Sequence, residues 1–165
     1  MIRTIRITVS LLLLSVLSPT VLAEDAATQV EERLMAYWDA RNDRDHNTVA
    51  GLESRGGMLG TNSDGSFHKP ISVSTPDDWE KNMQGQANVV RVFYPEITPI
   101  SPDVVYARYY LEGLNKNASG SAPYRTRVTN LWVKDSDGEW RIKAMHFSPA
   151  NYGGVHQTQS SDFDD

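Results

Sequence analysis

The sequence predicts an α+β domain: helices first, then a curved, mostly antiparallel sheet that wraps onto them to form a cone with a closed base and an open mouth. Three observations predict it. Apolar residues recur at three- and four-residue steps near the N-terminus, at Val30, Leu34, Tyr37 and Trp38. Beyond Met58 the chain becomes a series of short runs of strand character. The last two, Arg125 to Lys134 and Glu139 to Phe147, flank the turn Asp135-Ser136-Asp137-Gly138.

Taken in order, residues 1–23 read as an export leader. Arg3 and Arg6 form a basic head, Ile7 to Leu17 is an apolar run too short to span a bilayer comfortably, and Ser18-Pro19 breaks it. Cleavage is expected after Ala23; the alternative is an uncleaved anchor. The folded domain is then 24–151, with a polar, disordered tail at 152–165. Two of the 16 basic residues, Arg3 and Arg6, lie in the leader, so its removal takes the net charge from −5 to −7. That balance argues against nucleic acid and anionic membrane surfaces as partners. The chain has no cysteine, which excludes thiolate chemistry and cysteine metal sites and leaves an exported domain to rely on its core.

A helix is predicted over 28–41, with Glu31 and Glu32 in its first turn, where the dipole favours acids. Asn42 to Asp45 breaks it, and a short helix follows at 47–52. Strands are predicted at 58–62 and, weakened by Pro70, at 67–74. Thr75-Pro76-Asp77-Asp78 is a helix start: a capping hydroxyl, proline at the first position, then acids. Its helix carries Trp79 and Met83 on one face. Further strands are predicted at 89–97, 104–111, 125–134 and 139–147, with a polar loop over 113–123. Asn117-Ala118-Ser119 matches a glycosylation acceptor, of consequence only in a eukaryotic host.

Two stretches resemble a known family. Ala36 to Leu52, AYWDARNDRDHNTVAGL, is similar to the helix-break-helix opening of the nuclear-transport-factor-like (NTF2-like) superfamily, and Arg127 to Pro149, RVTNLWVKDSDGEWRIKAMHFSP, resembles its closing hairpin, above all in the SnoaL-like branch. The resemblance implies the cone fold and a homodimer, often built on the outer sheet face. It implies activity weakly, since this fold hosts isomerases, dehydratases, hydrolases and plain binding modules.

Candidate chemistry centres on polar residues set among aromatics. By resemblance to ketosteroid isomerase, Tyr37 and Asn130 occupy positions of two oxyanion donors; alternatively Tyr37 is a core aromatic and Asn130 a satisfied amide. The acid that such an isomerase needs is missing from Leu59 to Asn62. His146 shares strand parity with Trp140, Ile142 and Ala144, so it is expected on the concave face, as an acid or base with Tyr37 or Asn130, or as a structural histidine. Asp39 or Asp45 would orient it. The four histidines show no metal-ligand spacing, so no metal or other cofactor is expected. Arg108, Arg125, Arg127, Arg141 and Lys143 are expected on the outer face, as a basic stripe or in cross-strand ion pairs.

The leading expectation is an exported protein that binds a small apolar molecule in a pocket of Tyr37, Trp38, Trp79, Tyr109, Asn130, Trp132 and His146. The alternatives are a dehydratase, isomerase or hydrolase using His146, and a non-catalytic dimerisation or accessory module.

Overall fold

The computed structural model describes residues 19–61, 70–85 and 87–150. Most of the expected leader, the expected tail and the first three residues of the strand expected at 67–74 lie outside these residues. Three helices, α1 (Pro19–Asp43), α2 (His46–Gly51) and α3 (Pro76–Asn82), accompany five strands: β1 (Leu59–Thr61), β2 (Ala87–Ser101), β3 (Val104–Asn117), β4 (Gly120–Lys134) and β5 (Trp140–Pro149). The sheet order is β1-β5-β4-β3-β2. Only β1 runs parallel to its neighbour.

α1 starts earlier than its apolar periodicity indicates, at Pro19, so the expected cleavage point after Ala23 falls within its opening turns. Ala26, Val30, Leu34, Tyr37 and Trp38 form its buried stripe. They pack on the face of the sheet that presents Val105, Ala107, Tyr109 and Leu111 from β3, and Thr126, Val128, Asn130 and Trp132 from β4. Each large apolar side chain buried this way contributes about 1.5–3 kcal/mol. After α1, the Asn42 side chain pairs like a strand with the backbone of Val90, donating to its carbonyl at 2.8 Å and accepting from its amide at 3.0 Å. This clamps the helix end to β2 and covers part of that strand's open edge.

The two short helices follow their caps. Asp45 caps α2, accepting from the Thr48 amide at 3.1 Å and from its hydroxyl. Thr75 and Asp78 form a reciprocal capping box at α3. α3 itself has no buried residue; it is attached through Trp79 and, just past its end, Met83.

Two expectations are corrected. The polar loop expected over 113–123 is a continuation of the hairpin: β3 and β4 stay paired from Val104↔Val133 to Asn117↔Gly120. Pairing outweighs local polarity here, because the Arg125–Glu112 ion pair and the backbone ladder hold the strands together. Pro123 is tolerated because β5 joins β4 only from Thr126 onward, leaving the earlier part an edge. In the region of the strand expected at 67–74, the described residues provide only a bridge, Met58 with Ser72.

Gly113 shows why the long β2–β3 pairing needs a residue without a side chain. A Cβ there would stand 1.9 Å from the Val89 carbonyl oxygen and 2.8 Å from the Val90 Cα. Gly113→Ala should therefore cost about 2–3 kcal/mol, as overpacking does, read as a lower urea midpoint at unchanged slope. An unchanged midpoint would show that the strands can part at no cost.

Candidate functional site

The concave face of β4 carries the polar row that the sequence singled out. Asn130 sits between Val128 and Trp132 on that face and is 1% exposed. Its Oδ1 accepts from the Tyr109 hydroxyl at 3.2 Å, and that hydroxyl accepts from Trp38 Nε1 at 2.8 Å. A chain of hydrogen bonds thus runs from α1 through β3 to β4. Its end is open: among the described residues Asn130 Nδ2 has no partner, and neither does the indole N–H of Trp132 two residues on. Trp38 also meets Tyr37, Tyr109 and Phe147 edge to face, with ring centroids 5.3, 6.3 and 6.3 Å away. Burial pushes the Tyr109 phenol well above its ordinary range, so it stays neutral.

A second cluster adjoins the first through α1. Its centre is Glu53, a carboxylate that the sequence reading missed, 4% exposed in the segment after α2. Tyr37 donates to Oε1 at 3.0 Å and Trp79 Nε1 to Oε2 at 3.3 Å. Burial raises the Glu53 pKa above its ordinary value of 4.5, while hydrogen bonds from Tyr37, Trp79 and Ser74 and the charge of Arg41 pull it down. Burial likewise holds the Tyr37 phenol protonated. Arg41, one turn beyond Tyr37, lays its guanidinium carbon over the rings of Tyr37, Trp38 and Trp79 at 5.9, 4.9 and 4.7 Å. Leu59 to Asn62 has no acid, and this carboxylate lies just after α2. The only sequence signal was a charged residue directly after Leu52 in an otherwise apolar and small stretch.

Five of the expected ligand residues, Tyr37, Trp38, Trp79, Tyr109 and Asn130, are therefore joined in one connected cluster. Trp132 shares their face. Tyr37, Trp38, Tyr109, Asn130 and Trp132 are each 3% exposed or less. Trp79 and Arg41 are half-buried and mark the accessible end.

His146 is elsewhere, and this corrects the expectation. Leu131 pairs with Ala144 but Trp132 with Ile142, so Lys143 is an extra residue, a β-bulge. A bulge reverses the alternation. Trp140 and Ile142 face the core before it; Met145 and Phe147 do so after it. His146 is turned to the opposite face, exposed, across from Thr129. It borders a groove of about 290 Å³ there, with Leu59, Thr61, Tyr106, Leu131 and Ala144. The catalytic combination of His146 with Tyr37 or Asn130 is not assembled. Asp45 is occupied in capping α2.

The outer basic stripe is also corrected. Arg141 is buried against the hairpin turn, where it pairs with Asp137 at 2.7 Å and donates to the Gly51 carbonyl at 3.0 Å. Lys143 donates to the carbonyls of Gly56 and Gly57. Arg108 pairs with Glu96 and Arg125 with Glu112, which makes that face a set of cross-strand ion pairs. Among the described residues no group of three or more His, Asp or Glu is placed to hold a metal ion.

Two tests follow from Glu53. Tyr37→Phe leaves a buried carboxylate oxygen without its donor and should lower stability by about 1–3 kcal/mol in denaturant titrations. Glu53→Gln tests the pKa. Because the folded value lies above 4.5, the unfolded chain releases this proton first as pH rises, and folding loses stability between the two values. The glutamine variant has no such proton. Its stability relative to the parent should therefore be more favourable at about pH 7 than at about pH 4. A difference that is flat in pH would show an unshifted Glu53.

The sequence matches no protein-family profile, and no curated protein matches it. Solved structures do share its architecture. A ketosteroid isomerase-like protein from Erwinia carotovora atroseptica superposes with a TM-score of 0.60 at 20% identity, covering 77% of this chain and 98% of that one. An NTF2-like protein of unknown function from Pseudomonas putida gives 0.63 at 13% identity, covering 84% and 96%. An uncharacterised protein with a cystatin-like fold from Caulobacter vibrioides gives 0.62 at 18%, covering 77% and 91%. Joined to the curved five-stranded sheet and the helices on its concave face, these likenesses establish that the chain has the NTF2-like, ketosteroid isomerase-like fold.

Proposed function

We propose that this protein binds a small, largely apolar molecule on the concave face of its sheet, with the Asn130 amide as the polar anchor. One observation carries the reading. Asn130 Nδ2 is buried among aromatic side chains with no acceptor, and the Trp132 indole N–H beside it is in the same state. Native folds leave few buried donors unpaired, and each costs about 1–3 kcal/mol, so an acceptor brought in from outside offsets a standing penalty. Aromatic walls with one or two convergent donors are the usual makeup of a small-molecule site.

Entry requires movement, because the residues around Asn130 are sealed. α3 is the element suited to it. It buries no residue of its own and reaches the cluster through Trp79, which closes over Glu53 and Arg41. Displacing Trp79 opens the accessible end of the cluster without disturbing the sheet.

The reading extends to setting. The leader expected over 1–23 places the mature protein in the periplasm or outside the cell. The outer sheet face, with Leu59, Phe93, Tyr110 and Leu114 each 39–44% exposed, is the surface we assign to a homodimer. Light scattering of the purified mature chain should give twice the monomer mass, and a monomer at all concentrations would remove that assignment.

The ligand reading is tested by thermal unfolding against a panel of small aromatic and alicyclic ketones, alcohols, lactones and carboxylates. At least one should raise Tm by about 2 °C or more. Asn130→Leu, which keeps the branched shape and removes the donor, should stay folded and lose about tenfold in affinity for that compound. Silence across the panel, or equal affinity in the leucine variant, would sink the proposal.

A further inference from the structure

Among the described residues, the packing gives the half-buried guanidinium of Arg41 no hydrogen-bond or ion-pair partner. Three rings lie around it, with Trp38 and Trp79 closest at 4.9 and 4.7 Å. Ring faces attract a guanidinium without accepting its N–H hydrogen bonds, which leaves N–H groups available to an oxyanion. Among the described residues, no oxygen accepts a hydrogen bond from Arg41, and no carboxylate lies within ion-pair distance. By contrast, Arg33, Arg55, Arg108 and Arg125 each have a carboxylate. Glu53 is close enough to feel the charge, but its two oxygens are taken by Tyr37 and Trp79.

We infer that Arg41 is a carboxylate clamp, so that the ligand is a small monocarboxylate with an aromatic body. This rests on the concave face being a ligand site and names the ligand's chemistry there. The fork of a guanidinium matches the two oxygens of a carboxylate, and a bidentate, charge-assisted pair is strong where water is partly excluded. The charge count favours a monoanion. A monoanion adds one negative charge beside the buried Glu53, whereas a phosphate dianion adds two against the single guanidinium. The indoles that hold Arg41 supply the wall against which a flat ring stacks. Trp79 belongs to both the wall and the movable helix, so ligand binding and closure of α3 are coupled.

The test uses the mature chain at neutral pH and isothermal titration with matched pairs: benzoate with benzamide, and 2-naphthoate with 2-naphthamide. The carboxylate of at least one pair should bind about tenfold or more tightly than its amide. In Arg41→Met that preference should fall to about threefold or less, and Arg41→Lys, which keeps the charge without the fork, should lie between. The preference in the unmutated chain needs no variant, so loss of folding in either substitution leaves the inference testable. Equal affinity for carboxylate and amide overturns the clamp while leaving an Asn130-dependent site standing. Binding of phenyl phosphate or inorganic phosphate in place of the carboxylates overturns the ligand class. Failure of both pairs overturns the clamp, and only if the wider panel is silent as well does the ligand site fall with it.

Discussion

The structure depends on burying the aromatic stripe of α1 against the concave face of β3 and β4. Leu34, Tyr37 and Trp38 reach 0–3% exposure there, opposite Tyr109, Leu111, Val128 and Trp132. These residues belong to one hydrophobic core, and the other features are arranged around it. The helix stays in register because Asn42 grips the backbone of Val90 at its end. β5, paired antiparallel with β4, carries a bulge opposite Leu131 and Trp132, and a bulge bends its strand. The last hairpin is then locked from outside by Arg141, whose guanidinium ties the turn at Asp137 to the carbonyl of Gly51.

A core of this kind would ordinarily be apolar throughout. Here it contains Asn130, Tyr109, Glu53 and Thr126. Thr126 is satisfied, since its hydroxyl donates to the Ser148 carbonyl at 2.9 Å. Tyr109 and Glu53 are satisfied too. The open donors of Asn130 and Trp132 are different, and their cost is borne by the surrounding packing. Buried polar groups that a fold retains without pairing are found where strain or recognition requires them. The two clusters divide the labour along the concave face: neutral donors deep on β4, and a cation with a carboxylate at the half-buried end beneath Trp79.

Several elements were legible because they rest on local chemistry. The Thr75-Pro76-Asp77-Asp78 start of α3 needs only the capping geometry, and the stripe of α1 only the helical period. The hairpin turn at Asp135 to Gly138 closes with Gly138 at φ 82°, a conformation that glycine adopts freely. Other features were not legible. Residues 113–123 look like a loop by composition, yet the backbone ladder and the Glu112–Arg125 pair hold them as strands. The placement of His146 turned on one inserted residue. Its signal was present but subtle: the apolar steps of β5 run Trp140, Ile142, Met145, Phe147, and the step of three among steps of two is the mark of a bulge.

The sequence by itself determined the fold class, the start of α3, the last hairpin and the aromatic composition of the concave face, because periodicity, capping and turn chemistry act over a few residues. The tertiary structure decided which polar side chains meet. It brought Glu53 beneath Tyr37 and Trp79, set Arg41 against two indoles from different helices, and turned His146 to the opposite face of the sheet. Those outcomes depend on strand register and on how α3 returns over α1, which are fixed by packing between segments far apart in the chain.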